Sequence, residues 1–320
     1  MKEPLLFLAH RLPYPPNKGD KIRSWHLLKF LAERYRVFLG AFIDDPADRA
    51  HAHALDAVCA SVKTVELNPQ WAKFASLRGL ASGEALTLPY YRHAEMTRWV
   101  NETASTQGIR AAVAFSSAMA QYVPTDMPTK VMDMVDVDSD KWAQYAPTKS
   151  WPLSWLYRRE AVKLGEWEIR VAREFNATLL VSEAEAAHLR HMAPASADRI
   201  GWFENGVDAV YFSPDPARDS PYAETEIPLV FTGAMDYWPN IDAVIWFATE
   251  ILPRVREALP DAVFTIVGSN PAESVKALAS RPGVRVTGRV EDVRPYVQHA
   301  ACAVAPLRLA RGVQNKVLEA

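Results

Sequence analysis

Cys302-Ala-Val-Ala-Pro306-Leu-Arg308-Leu-Ala-Arg311-Gly312-Val313-Gln314-Asn315-Lys316-Val-Leu-Glu319-Ala320 reads as a buried strand that runs into a loop, with Gly312 opening a helix. Open α/β sheets bind ligands at the carboxyl ends of their strands. Backbone N–H groups at a helix N-terminus favour an anion, and glycine there lets a phosphate approach closely. Lys316 adds a point charge on the first turn, and Arg308 and Arg311 stand in the same loop. Glu319, one turn further, can accept hydrogen bonds from ribose hydroxyls. From the pattern alone, a capped helix with solvated charges reads equally well.

The same alternation continues upstream. Apolar runs at 229–233, 262–268 and 284–288 predict strands, with helical patterns at 241–259, 272–280 and 293–300. Pro253 is expected to kink or break the first of these helices. Ahead of them, 213–227 carries Pro214, Pro216 and Pro221 among Asp, Ser and Glu, which suits a linker. Earlier still, 4–9, 36–43, 111–115, 130–134 and 178–181 predict strands, and 155–174 a long helix. A helix over 21–34 follows from Ile22, Trp25, Leu28 and Leu31 at helical spacing. Strands alternating with helices imply a parallel sheet covered on both faces. The expected fold is α/β, with two Rossmann-like domains at 1–212 and 228–320 joined by 213–227. The sequence stops in the first turns of a helix, so the second domain is expected to be incomplete.

A chain of 320 residues suits two domains, and its net charge of −2 argues against a broad nucleic-acid footprint. Cys59 and Cys302 are far apart in sequence and form no Cys-x-x-Cys, which disfavours a disulfide framework or a zinc site. The apolar run at 5–9 is shorter than the roughly 7–15 residues of a secretory h-region, and no run approaches the ~18–20 that span a bilayer. A cytoplasmic home is the expectation, with contact to the inner membrane face left open.

The 302–320 segment resembles the donor-binding motif of the retaining glycosyltransferases of family four, which have the GT-B fold of two Rossmann-like domains. Phe203-Glu204-Asn205-Gly206-Val207-Asp208, followed by Tyr211-Phe212-Ser213-Pro214, is similar to that family's interdomain signature. Val230-Phe-Thr-Gly233, Phe264-Thr-Ile-Val-Gly268 and Val286-Thr-Gly288-Arg289-Val290 resemble its strand ends before the donor loop. The nearest subgroup is the sugar transferases of exosortase-linked exopolysaccharide loci. The resemblance implies a donor site of Glu319, Lys316, Gly312, Val313, Gln314, Asn315, Arg311, Arg308, Gly233, Gly268 and Arg289, with Asn205 and Gly206 between domains. Two departures stand out. Arg311 occupies the place of the first glutamate of the family's E-x7-E pair, and Ala234-Met-Asp-Tyr-Trp238 lacks the usual diphosphate-gripping Arg and Lys. Lys316 and Arg311 are therefore expected to carry more of the phosphate charge.

The loop His10-Arg11-Leu-Pro-Tyr-Pro-Pro-Asn-Lys18-Gly19-Asp20 precedes the first helix. Gly19 permits a sharp turn beside a ligand, and Asp20 can cap the helix. Asp133, Asp136, Asp138 and Asp140 cluster after a strand. Asp-x-Asp invites a divalent-metal reading, but the resemblance implies metal-independent chemistry. Asp136 is the first candidate to face sugar or acceptor, with Gly19 and Asp20 beside it; Asp133 and Asp138 follow. The stretch 69–92, with Trp71, Lys73, Phe74, Leu77, Arg78 and Leu80, admits contact with anionic lipid, but its short stripe reads first as a core-packing helix.

The implied reaction moves a sugar from a nucleotide-diphosphate donor to a hydroxyl on a glycan or lipid-linked acceptor, with retention and without a cofactor. The alternative is a nucleotide-sugar-binding protein without turnover. A two-lobed solute receptor would need an export signal. A sugar phosphorylase would need a cofactor-binding lysine motif and a longer chain.

Overall fold

Pro4–Ala9 carries no charge, and a strand flanked on both sides and covered on both faces can carry none cheaply. It forms β1 of the computed structural model, which describes residues 2–16, 19–308 and 314–320. With it pair β2 (Arg36–Ile43), β3 (Ser61–Glu66), β4 (Ala111–Phe115), β5 (Thr129–Val135), β6 (Ala177–Leu180) and β7 (Ile200–Trp202). All pairings are parallel, in the order β3-β2-β1-β4-β5-β6-β7. The order reverses between β1 and β4, which makes the carboxyl ends of those strands the topological switch point. Alternation along β1 sends Leu5, Phe7 and Ala9 into one apolar layer and Leu6 and Leu8 into the other. Helix Gly19–Arg34 contributes Leu28 and Leu31 to the first layer, and helix Leu153–Glu174 contributes Val171 and Ala172 to the second.

Among the described residues, two ion pairs of this unit are almost wholly buried. Lys21 Nζ meets Asp48 Oδ2 at 2.6 Å, with both side chains almost wholly buried. Arg23 grips Asp133 through Nε at 2.9 Å and Nη2 at 3.1 Å, donates to the Phe203 carbonyl at 3.0 Å, and stacks 3.7 Å over the Phe203 ring. Asp133 is therefore consumed in tying the first helix to β5 and to the residue after β7. This corrects its reading as a ligand-facing carboxylate.

A second sheet holds β8 (Ile227–Thr232), β9 (Ala262–Val267), β10 (Val284–Gly288) and β11 (Cys302–Ala303), all parallel, in the order β10-β9-β8-β11. Its order also reverses, here between β8 and β11. Both sheets therefore have the Rossmann-like pattern that the alternation implies. The strand read as buried over 302–306 is corrected: it is two residues long and exposed. It lies at the sheet edge and pairs only with β8 among the described residues. The chain divides into compact units at Met1–Glu204 and Asn205–Ala320. The Pro-rich stretch packs within the second, where the Asp215 N–H donates to Gln298 Oε1 at 3.0 Å and Tyr222 Oη to the Tyr296 carbonyl at 2.8 Å. Pro253 has its expected effect. Helix Trp238–Trp246 widens to π geometry over Phe247–Ile251 before resuming as Leu252–Ala258, because the proline ring and missing N–H disrupt the preceding turn.

Candidate functional site

In the first unit the carboxyl ends of β1, β2, β4 and β5 gather polar groups around the switch point. Arg11, two residues past β1, donates through Nη1 to Asp20 Oδ2 at 2.9 Å and through Nε to Asp44 Oδ2 at 2.7 Å. His10 Nε2 lies 3.3 Å from the same Asp20 oxygen, and its ring stacks on Phe115, 5.9 Å between centroids. Asp20 sits inside the first turn of its helix, and its carboxylate serves His10 and Arg11 instead of capping. Burial opposes ionisation of Asp20, but the His10 hydrogen bond and the Arg11 charge outweigh it and hold the carboxyl well below its usual range. Burial likewise opposes the charge on Arg11, and Asp20 and Asp44 more than offset it. The Nδ1 of His10 is buried and has no hydrogen-bond partner among the described residues.

Backbone strain marks the same edge. Ser116, just past β4, has φ +75°, and Val135, closing β5, has φ +70°. A β-branched residue at positive φ is a genuine outlier, and such strain concentrates at functional sites. The strained turn after β5 presents Asp136, whose Oδ2 takes a hydrogen bond from Lys141 Nζ at 2.7 Å; Asp138 Oδ1 takes another at 2.9 Å. Burial works against the Lys141 charge, yet these two carboxylates raise its pKa. Tyr91 links the groups. Burial first, with the charges of Tyr90, Asp44 and Asp138, pushes its hydroxyl up against the opposing pull of Arg11. The arrangement offers fixed donors and acceptors of both signs, which suits the hydroxyls of a polar ligand. His10 and Arg11 belong to the strand-end loop read from sequence, whereas Ser116 and Lys141 were not singled out by motif. Their common signal is position after a strand end, visible once the strand order is known.

Glu168 supports this edge from below. Ser139 donates to it through its backbone N–H at 3.1 Å and through its hydroxyl, in a fully buried setting. Burial first, then the nearby Asp138 charge, pushes the Glu168 carboxyl up to about 8. It therefore anchors the helix Asp138–Tyr145, which carries Asp138 and Lys141.

In the second unit, Gly233 and Gly268 end β8 and β9 and pack against each other. A Cβ on Gly268 would lie 1.7 Å from the Gly233 carbonyl oxygen, and Gly233 itself has φ +155°. Asn240 Nδ2 donates to the Ala234 carbonyl at 2.9 Å and closes this turn. Lys316, on the short helix Asn315–Glu319, reaches the turn. Its Nζ lies 3.4 Å from both Asn240 Oδ1 and Gln314 Oε1, and 5.0 Å from the Phe231 ring centroid. Burial lowers the Lys316 pKa, against the pull of Glu319, and burial raises the Glu319 pKa, against the pull of Lys316. Asn315 Oδ1 accepts from Asn205 Nδ2 at 3.1 Å, while Gly206 is exposed. Arg289 is exposed beyond β10. Arg308 is paired with Asp242, with its Nε 3.0 Å from Oδ2, and an incoming anion must compete with that carboxylate. Arg311, Gly312 and Val313 lie outside the described residues, and Gly19 begins its helix next to residues that do.

A cavity of about 650 Å³ lies at the amino ends of β1 and β2, lined by Lys2, Pro4, Arg36, Val37 and Cys59 among others. It is on the far edge of the sheet from the polar groups above. Burial pushes the Cys59 thiol up to about 12, which keeps it from acting as a ready nucleophile.

The N-terminal domain of trehalose-6-phosphate phosphatase from Candida albicans has a similar fold, with TM-score 0.61 and 13% identity, covering 100% of this chain and 80% of that one. An α,α-trehalose-phosphate synthase (UDP-forming) from Burkholderia vietnamiensis gives TM-score 0.58 and 10% identity, covering 99% and 81%. A glycosyltransferase from Rickettsia africae gives TM-score 0.52 and 12% identity, covering 93% and 71%. No curated protein sequence matches the chain. Within the sequence itself, residues 226–320, most of the second unit, match the family model described as Glycosyl transferases group 1.

Proposed function

We propose that the protein is a glycosyltransferase that moves a sugar from a nucleotide-diphosphate donor to a hydroxyl acceptor. The match of residues 226–320 to the group 1 glycosyl transferases carries this reading. The donor's diphosphate lies against Lys316, with the turn at Gly233 and the end of β9 at Gly268 beside it. Glu319 takes the ribose hydroxyls. In this role the half-buried Lys316 regains, from the phosphate, the favourable partner that burial denies it. Glu319 faces neutral hydroxyls, which suits a carboxyl whose ionisation burial opposes. Arg289 and Asn315 complete the donor side, and Asn205 holds Asn315. In the first unit Asp136, Gly19 and Asp20 line the acceptor side, joined by His10 and Arg11.

Such chemistry asks the protein for alignment and for charge that stabilises a departing diphosphate, not for a nucleophile. We assign retention at the anomeric carbon, no metal, and a glycan or lipid-linked acceptor of cell-surface or exopolysaccharide synthesis, from the family resemblance of the 302–320 motif. Calorimetry with uridine, guanosine and adenosine diphosphates and their nucleosides tests the donor assignment. Lys316→Ala weakens diphosphate binding about ten- to a hundredfold and nucleoside binding little, as expected for a lost charge-assisted hydrogen bond. Glu319→Ala weakens both, because both ligands carry the ribose. Tight diphosphate binding retained by Lys316→Ala refutes the phosphate assignment. Binding of a nucleotide sugar with neither hydrolysis nor transfer would favour a binding protein without turnover.

A further inference from the structure

The stretch 69–92, read first from sequence as a core-packing helix, divides: its second half packs inward through Ala85 and Leu88, and its first half does not. Helix Pro69–Ser76 buries Ala72 and turns its large side chains outward: Trp71 is 73% exposed and Phe74 70%. Leu77 follows at 48%. A second segment, far away in sequence, does the same. Trp151 is 81% exposed, Trp155 53% and Leu153 48%. Tertiary structure brings the two together. Arg159 Nη2 donates to the Gly79 carbonyl at 2.6 Å and to the Glu84 carbonyl at 3.1 Å. Glu160 accepts from the backbone N–H groups of Leu86 at 2.6 Å and Thr87 at 2.9 Å. Trp155 lies one turn before Arg159 on the same row of helix Leu153–Glu174. Scattered exposed apolar residues are ordinary, whereas a cluster of large ones marks an interaction surface.

Charge identifies what the surface meets. Residues 67–83 carry Lys73 and Arg78 and no acid; residues 146–159 carry Lys149, Arg158 and Arg159 and no acid. Arg159 is spent on backbone carbonyls, and the other four are exposed. The adjoining carboxylates are already partnered, Glu66 by Arg49, Glu84 by Arg92 and Glu160 by backbone N–H groups, and tryptophans flanked by lysine and arginine match the boundary of an anionic bilayer, where indole rings seat at headgroup depth and cations meet lipid phosphates. A face made to pair with a second copy of the same chain would place four cations against four cations. We infer that this face of the first unit docks on the surface of an anionic membrane as a peripheral contact. No helix among the described residues is long and apolar enough to cross a bilayer.

The inference needs no turnover and no donor, so it stands apart from the proposed transfer reaction. The test is flotation of the full chain with vesicles of phosphatidylcholine alone and of phosphatidylcholine with phosphatidylglycerol at about 7:3. The wild-type chain floats with the anionic vesicles, at least about tenfold more than with the neutral ones, and salt near 1 M reverses most of the binding. The double variant Trp71→Ser/Phe74→Ser lowers binding about tenfold or more, as does Trp151→Ser/Trp155→Ser, because each removes apolar area that would seat in the interface. Lys73→Glu/Arg78→Glu abolishes the preference for anionic vesicles. Phe30→Ser, at another exposed aromatic in the same unit, changes nothing. All these positions are exposed, so melting temperatures stay within about 2 °C of wild type. Absence of vesicle binding by the wild-type chain overturns the inference, as does equal binding by both aromatic double variants. A dimer at micromolar concentration that these variants dissociate, without vesicle binding, assigns the face to a second copy instead.

Discussion

Glu168→Gln keeps the shape of a fully buried side chain and removes its ionisation. In the folded protein the carboxyl titrates at about 8 instead of 4.5, because burial and the Asp138 charge oppose the anion more than the two Ser139 hydrogen bonds favour it. An acid whose folded pKa is raised holds a proton that the unfolded chain has already lost. Its penalty is therefore absent below the unfolded value, grows as pH rises through the window between the two, and is complete above about 8. At about 1.4 kcal/mol per pH unit, the window corresponds to a loss of roughly 4–5 kcal/mol as a ceiling. For a unit of this size that is about 10 °C in melting temperature. Urea unfolding of wild type and Glu168→Gln across this range isolates the effect, since every other group titrates in both. The wild-type chain loses stability relative to the variant as pH rises. Parallel curves, or a relative gain for the wild-type chain, would refute the burial of an ionisable Glu168 beneath the candidate acceptor edge.

Three further outcomes follow from the geometry. Asp133→Ala strands Arg23 in the core and costs about 3–5 kcal/mol by chemical denaturation; replacing both partners by apolar residues of similar volume recovers much of it, and an additive double variant would argue against a coupled pair. Gly268→Ala drives a Cβ into the Gly233 carbonyl oxygen, at 1.7 Å in the present geometry, so the turns must part; about 3 kcal/mol or more is expected from the melting of the second unit, and an unchanged melt would mean that the contact is not required. Asp136→Asn leaves Lys141 with Asp138 as its carboxylate partner and is expected to lower turnover at least about tenfold with little change in donor affinity; an unchanged rate assigns Asp136 to anchoring Lys141.

Composition and periodicity carried most of the element list. The uncharged run at 4–9 and the helical spacing of Ile22, Trp25, Leu28 and Leu31 are local patterns, and local patterns are set by which faces must be buried. Two strands escaped this logic. Ser61–Glu66 mixes Lys63, Thr64 and Glu66 into a partly exposed edge, and Ile200–Trp202 is too short for a period to show. The glycines after β8 and β9 and the proline inside the helical pattern at 241–259 were likewise legible, because glycine and proline report backbone constraints directly. What only tertiary structure decided is which side chains meet. Asp133 and Asp136 look alike in sequence, yet one lies buried on Arg23 and the other on Lys141 at a strained turn. Trp71 and Trp155 are 84 residues apart, and the pattern said only that each fell in a helical stretch. Burial of an ionisable group and exposure of an aromatic one both depend on partners distant in the chain. Strand order sets those partners, and no local window of sequence contains it.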